Sequence, residues 1–410
     1  MLDQPDVPDD PQEIVRRLFS DDAKRHPHAY YDKLRELAPV FRDADSGMWY
    51  LSSWEACNTV LRSDRFGQGG RTSQDPRYAT SSALKMLGEN LTGMDPPEHS
   101  RLRFFISRGL SRAVVEGMRG YVASVTEAAL DEMEDQDEFD LVSSYAARIP
   151  GTVICELLGI PRADHVLFDK WLADQFRILA PHPPSDELLA EVDATIDALE
   201  AYVGGVIEER RREPRQDLIS SFIAAESDAE KQMTAREVVV MTNILLGGGS
   251  DTTKTVIAMG TRALLQNPGQ MARLRDDPSM DNRAFEELVR MAGPVLIANP
   301  RMSFDGAVIG GQTIGKGELA ASLLMGANFD PKVFQDPLAL ELGRSPNPHL
   351  AFGHGAHICV GNMLARVVAM HAIGALIRRF PTLELAEDEM DPRLDLFALR
   401  GLKSLRVRKG

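Results

Sequence analysis

The residues best placed to do chemistry lie in one short stretch, Phe352-Gly353-His354-Gly355-Ala356-His357-Ile358-Cys359-Val360-Gly361. It sets a single cysteine in a glycine-rich loop that leads into an apolar, proline-free run from Asn362 to Arg379. That run predicts a long buried helix. Cys359 then sits at the helix N-terminus, where unpaired N–H groups and the positive end of the helix dipole lower a thiol's pKa and favour the thiolate. Gly353, Gly355 and Gly361 lack a Cβ, so the loop can turn tightly and press its backbone against a flat ligand. One thiolate so displayed suits axial ligation of a haem iron. On the loop alone, an inert buried cysteine is an equally good reading.

A second group of candidates needs a long helix to hold it. Thr234-x-x-Glu237 is a capping box and Asn267-Pro268-Gly269 a stop, so residues 234–266 predict one helix, about 50 Å long at ~1.5 Å per residue. Gly247-Gly248-Gly249-Ser250-Asp251-Thr252-Thr253 falls at its middle. Each mid-helix glycine costs ~1 kcal/mol relative to alanine. Three in a row let another body approach the backbone or let the helix bulge, unless they mark only a tolerated kink. Further upstream, the prolines of Met94-Asp95-Pro96-Pro97 start a helix that puts His99 and Arg103 on one face. Such a pair can grip an anionic group or simply face solvent. Glu287 and Arg290 also share a helical face, where an isolated pair is usually a weak surface salt bridge.

Phe-Gly-x-Gly-x-His-x-Cys-x-Gly resembles the haem-binding signature of the cytochrome P450 family. The order of the other segments is similar to that family over nearly the whole chain, in its soluble bacterial form. The resemblance implies that Cys359 is the single axial ligand of heme b, within a loop that includes Phe352, Gly353 and Gly361. It implies that His99, Arg103, Arg301 and His357 hold the haem propionates. The family's oxygen-binding groove matches Gly248, Gly249, Asp251 and Thr252, with Asp251 and Thr252 delivering protons. Gly248 stands where alanine is common, which would loosen the helix over the haem. Glu287, Arg290 and Arg344 resemble the family's structural ion-pair group. Ala327-Asn328-Phe329-Asp330-Pro331 departs from the family's Ala-Asn-Arg-Asp-Pro, an expected change in local ion pairing.

The fold expected from pattern and resemblance is mainly α with a smaller β-rich region, one domain over residues 1–410. The β-rich parts fall at about 39–52, 298–325 and the C-terminal end. Residues 1–20 read as a loose lead-in, and His28–Leu37 and a segment capped by Ser53 as helices. Residues 66–92, without clear periodicity, read as a long loop that the resemblance places over the substrate. Residues 114–210 read as helices broken at Asp135-Gln136-Asp137, Ile149-Pro150-Gly151, Pro161 and Pro181-His182-Pro183-Pro184. The resemblance puts a lid near Phe176, Ile178 and Leu179. Arg210-Arg211-Arg212 reads as a solvated charge run, and Asp281 as a helix cap.

With 410 residues, 43% hydrophobic and 26% charged, the composition is that of an ordinary globular protein. A formal charge of -15 argues against a general binder of nucleic acid or anionic membranes. Cys57, Cys155 and Cys359 are far apart, without zinc or disulfide spacing, which fits the cytoplasm. No apolar run approaches the ~20 residues a bilayer needs, and Met1–Pro11 is unlike a signal peptide.

The expected activity is that of a haem-thiolate monooxygenase. O2, two electrons and two protons would oxidise an apolar small molecule, a bacterial secondary metabolite by analogy. No nicotinamide or flavin fingerprint is present, so a ferredoxin and its reductase would supply the electrons, with Arg112 and Arg366 as a basic docking face. Candidates for the substrate pocket are Leu245, Leu246, Val295, Leu296, Ile297, Asn299, Phe397 and Leu399, with Asn243, Asn299 and Arg400 as polar handles. The alternatives are oxidative ring closure or coupling on the same fold, a peroxide-driven reaction, and a non-catalytic haem-based gas or redox sensor. The Asp-Thr pair argues against the peroxide route. For the sensor, no DNA-reading or signalling domain is recognisable.

Overall fold

The computed structural model describes residues 5–69, 76–178, 184–225, 233–387, 389–394 and 396–410. It is mainly helical with small sheets. The helices that position the site are α1 (Pro27–Leu37), α2 (Trp54–Arg62), α3 (Glu98–Gly109), α4 (Arg119–Asp131), α5 (Arg148–Leu158), α6 (His165–Phe176), α7 (Asp186–Arg212), α8 (Ala235–Leu265), α9 (Asp281–Ala292) and α10 (Asn362–Arg379).

Helix α8 is the axis of the packing. Its capping box is complete: Glu237 N–H donates to Thr234 Oγ1 at 3.2 Å, and Thr234 N–H donates to Glu237 Oε2 at 2.8 Å. Val238–Asn243 and Thr255–Thr261 are buried on every side, as expected of a helix apolar around most of its circumference. Helices α5, α9 and α10 pack along it, and α6 and α7 cross its first half. Arg101 of α3 reaches Glu237 Oε2 at 3.4 Å, tying α3 to the start of α8.

The main sheet runs β1-β2-β8-β5-β3, with β1 (Val40–Arg42), β2 (Trp49–Leu51), β3 (Phe66–Gly67), β5 (Arg301–Ser303) and β8 (Leu319–Ser322). All neighbours are antiparallel except β2 and β8. Arg301 pairs with Ala320 and alternates with Met302, which turns its side chain to the buried face with Ser303. A second sheet joins β4 (Glu138–Asp140), β9 (Leu383–Leu385) and β12 (Arg406–Lys409) in the order β4-β12-β9.

Several segments differ from the sequence reading. Pro11–Arg17 is a helix capped by Asp10, not a loose lead-in, because Ile14, Val15 and Leu18 bury against α1. Residues 66–92 include the helix Ser82–Glu89, capped by Ser81, with Ala83, Leu84 and Met86 in the core. Ser81 Oγ donates to Asp193 of α7 at 2.6 Å, so a tertiary bond holds what lacked periodicity; residues 70–75 lie outside the described residues. Pro150 does not break α5. It sits in the first turn, where its missing N–H is not needed. Arg210 is not solvated: it is buried, with Nε 2.6 Å from Asp217 Oδ2 and Nη2 donating to Gly159 O. Asp281 is the first residue of α9, and Met280 holds the cap position. Phe176 and Ile178 are described; Leu179 and Pro181-His182-Pro183 lie outside the described residues.

The buried charges of α9 anchor the region beneath the cysteine loop. Glu287 and Arg290 are both 0% exposed and form two parallel bonds of 2.7 Å. Arg344 Nε lies 3.0 and 3.1 Å from the two Glu287 oxygens, and Asn347 Nδ2 and Glu341 N–H also donate to them. Arg290 in turn donates to the carbonyls of Asn328 and Pro337 and stacks on Phe329 at 4.9 Å and Phe334 at 5.3 Å. Phe329, the departure noted in the sequence, thus serves Arg290 as a cation-π face. The cation beside Asp330 is Arg35 of α1, 3.9 Å away. Burial works to raise the Glu287 pKa, but the bonds and charge of Arg290, with Glu341 N–H and Arg344, hold it below its ordinary 4.5.

A depressed carboxylate stabilises the fold above the unfolded value and loses that contribution as pH falls through the folded one. Glu287→Ala should therefore cost ~3–5 kcal/mol by stranding buried guanidinium charge. In thermal melts it should also flatten the loss of stability below pH 4.5. Wild-type melting and an unchanged acid profile would show that the group carries no such load.

Candidate active site

The cysteine loop is held by its own backbone and by four helices. Cys359 N–H donates to Phe352 O at 2.8 Å, and Asn362 Nδ2 at the start of α10 donates to Cys359 O at 2.7 Å. Arg103 Nη2 of α3 donates to Ile358 O at 2.6 Å. Gly355, at φ +71°, lies against the Leu61 carbonyl at the end of α2, where a Cβ would collide with backbone. Phe352 stacks on Phe285 of α9 at 5.9 Å.

The thiol does not behave as helix position alone predicts. Burial pushes the Cys359 pKa up, and the N–H groups of Gly361 and Asn362 with the charge of Arg103 only partly offset it. Helix α10 begins at Asn362, so the sulfur does meet the N–H groups of the helix end, but the cost of burying a charge outweighs them. A metal cation at the sulfur is what would keep it deprotonated.

Around this loop the structure gathers basic groups. The rings of His99 and His357 are 4.1 Å apart. His99 is 2% exposed and its Nε2 has no hydrogen-bond partner among the described residues. Arg301 is buried, with Nη1 donating to Leu61 O at 2.9 Å. Burial lowers the pKa of all four groups; His357 is pulled to about 3 by burial, His99, Arg301 and Arg103. Asp95 opposes this at His99 and Arg301 without reversing it. Four basic side chains from three segments, all pushed towards neutrality, fit an anionic group with two carboxylates, as the propionates of haem provide.

The three glycines of α8 have three different surroundings. A Cβ on Gly247 would stand 3.2 Å from Leu172 of α6, and one on Gly249 would stand 3.3 Å from Ile154 of α5. Gly248 is exposed although it lies at the centre of the buried helix, and a Cβ there would meet nothing within 4 Å. That bare strip of backbone can accept a flat ligand. The helix runs through the glycines without a bulge. Thr252 Oγ1 donates to Gly248 O at 2.7 Å, on the same face. Asp251 is 14% exposed, paired with Lys254 and with Arg393, whose Nη1 lies 3.0 Å from Oδ2.

The cytochrome P450 family description matches residues 14–404. The chain belongs to the cytochrome P450 family. It is 31% identical over 394 residues to the polyketide biosynthesis cytochrome P450 PksS of Bacillus subtilis (strain 168), covering 93% of this chain and 95% of that one. It is 33% identical over 391 residues to the cytochrome P450 monooxygenase PikC of Streptomyces venezuelae, covering 93% and 91%. Among solved structures it is similar to P450BioI in complex with an acyl carrier protein ligated to hexadec-9Z-enoic acid. That likeness has a TM-score of 0.88 and 29% identity over 95% of this chain and 100% of the other. The protein is thus a P450 monooxygenase, an oxidoreductase of small molecules that works with O2, haem and redox partners.

Within this P450 three of the eight pocket candidates line cavities, in two separate places. Leu246 lines a cavity of about 170 Å³ between α5, α6 and α8, together with Leu172 and Ser250. Leu296 and Leu399 line a water-sized cavity of about 10 Å³ beside Tyr31. Leu245 and Ile297 are core residues, and Phe397 packs on Phe19 at 3.9 Å. Val295 joins the cluster of the main sheet and bridges Leu399 through its backbone. Asn299 is exposed and donates to Thr92 O at 3.4 Å. Leu296 and Ile297 lie in a bend and pack in one apolar cluster, whereas Val295 packs in another. Of the polar handles, Asn243 is engaged with Gln175 and Arg400 donates to Ala292 O at 3.5 Å. Arg366 is bound to Glu286 and stacks on Phe285, so it is no open docking charge; Arg112 is exposed. Arg393 and Gln175 were missed. Arg393 is 142 residues from Asp251 and Gln175 is 68 from Asn243, distances with no periodic signal.

Cys57 is a buried thiol donating to Leu51 O at 3.1 Å, its pKa pushed up to about 12 by burial. No helix among the described residues is long and apolar enough to cross a membrane. Cys359→His should abolish the red-shifted Soret band of the ferrous carbonyl complex that a thiolate ligand gives. Cys57→Ala and Cys155→Ala should keep it; a band surviving in Cys359→His would refute the assignment of the ligand.

Proposed function

We propose that Cys359 is the single axial ligand of heme b and that His99, Arg103, Arg301 and His357 hold its propionates, in an enzyme that hydroxylates or otherwise oxidises an apolar secondary metabolite. The observation that carries this is the gathering of four basic groups beside one half-buried thiol, with a bare helix face at Gly248. When bound, the haem supplies the oxygen activation and the radical chemistry. Phe352, Gly353 and Gly361 shape the loop, and Glu287, Arg290 and Arg344 fix the segment that carries it.

Proton supply falls to Thr252 and Asp251. The Thr252 proton is committed to Gly248 O, so the hydroxyl offers lone pairs and can accept a hydrogen bond from a protonated oxygen in the groove. To donate, it must rotate away from that carbonyl. Both Asp251 oxygens face cations, so the carboxylate must leave Lys254 and Arg393 before it can carry a proton inward.

Electrons come, in this reading, from a ferredoxin and its reductase. Phe104, Val114 and Ile358 are exposed apolar side chains around the cysteine loop and α3, flanked by Arg108 and Arg112, a face suited to an acidic carrier with an apolar centre. The name of PksS, a polyketide biosynthesis P450, supports a secondary metabolite as substrate. The three cysteines are all thiols, which fits a cytoplasmic enzyme.

Thr252→Ala should retain haem and its reduction but divert NADH-driven turnover to hydrogen peroxide, while Asp251→Asn should slow O2 consumption. The measurement is product and peroxide formed per NADH consumed, with a substrate found by its displacement of iron-bound water in the spectrum. Full coupling in Thr252→Ala would remove the role given to this residue.

A further inference from the structure

We propose that Gln175 and Asn243 act as one latch that sets how quickly ligands reach and leave the haem, an inference that rests on the haem reading above. Gln175 lies in the last turn of α6, and Asn243 one turn before Gly247 on α8. Their side-chain amides form a reciprocal pair. Gln175 Nε2 donates to Asn243 Oδ1 at 3.1 Å, and Asn243 Nδ2 donates to Gln175 Oε1 at 2.8 Å. Gln175 Nε2 also donates to Trp171 O at 3.2 Å. That third bond fixes the sense of the pair, because flipping both amides would set an oxygen against the Trp171 carbonyl.

Asn243 is 8% exposed, so its amide depends on Gln175. Parting α6 from α8 leaves a buried amide without its partner, a larger loss than the net gain from forming the bond. One turn along both helices, Leu172 rests on the bare backbone of Gly247. The Leu172 contact is non-directional and tolerates sliding, whereas the amide pair demands one register. Thr195 Oγ1 donates to Asp174 Oδ2 at 3.0 Å, so α7 is coupled to the movement of α6. The latch thereby holds two helices against the stretch of α8 that leads to the Gly248 groove. With its carbonyl and an N–H spent on Gln175, Asn243 serves as a positioning residue and not as a polar handle for substrate.

The test is stopped-flow binding of 4-phenylimidazole to the haem-loaded enzyme, read by the shift of the haem absorption band. Gln175→Leu and Asn243→Leu alone each strand one amide and should raise both association and dissociation rates about tenfold. The double variant Gln175→Leu/Asn243→Leu strands none and should return towards wild-type rates. The exchanged pair Gln175→Asn/Asn243→Gln keeps two amides and the same number of methylenes, and should bind as wild type does. Haem content and the ferrous carbonyl band of each variant report on folding. Single effects that multiply in the double variant, or rates unchanged in every variant, would overturn the latch. No haem uptake and no ferrous carbonyl band in the wild-type protein would overturn the haem reading and the latch with it.

Discussion

The buried carboxylate of Glu287 is the interaction on which the proximal half of the molecule depends. A charge with no exposure must be matched completely, and here the match comes from Arg290 on the same helix and from Glu341, Arg344 and Asn347 more than fifty residues later. That requirement pins an irregular stretch of chain to α9. The two residues before Glu287 continue the work. Glu286 binds His349 and Arg366, and Phe285 stacks on Phe352 at the head of the cysteine loop. One short helix thus transmits a fixed position from a buried ion pair to the ligand loop.

On the other side, α8 resolves competing demands in a few residues. Close packing against α6 needs Gly247, close packing against α5 needs Gly249, and an open strip of backbone needs Gly248. Propensity opposes all three. The helix survives because its capping box and its buried flanks supply stability that the centre lacks. The polar residues that follow are held in check by neighbours, Thr252 by a carbonyl and Asp251 by two cations. Chemistry at this strip therefore starts from a restrained arrangement.

Local electrostatics and burial pull in opposite directions around the cysteine. N–H groups at the helix end favour a thiolate, and exposure to water would favour charged basic groups, yet burial disfavours both. A ligand that brought a cation to the sulfur and anions to the histidines and arginines would relieve both tendencies together. Its binding would then be coupled to the stability of this region.

Much of this was legible in the sequence, because it rests on local rules. The capping box of α8, the glycine-rich cysteine loop and the one-face pairs His99/Arg103 and Glu287/Arg290 all follow from spacing within a few residues. The elements misjudged were those whose stability is tertiary. The Pro11–Arg17 helix forms because Ile14, Val15 and Leu18 find a surface on α1, and Ser82–Glu89 because Asp193 receives Ser81. Arg210 reads as solvated until Asp217 folds back on it. The fate of individual side chains was also beyond local rules: Asn243 turns to Gln175, Asp251 to Arg393, and Phe329 to Arg290. Spacing decides which side chains share a face of one element. Only the packing of elements decides what that face meets, because burial energy and hydrogen-bond satisfaction depend on partners distant in the chain.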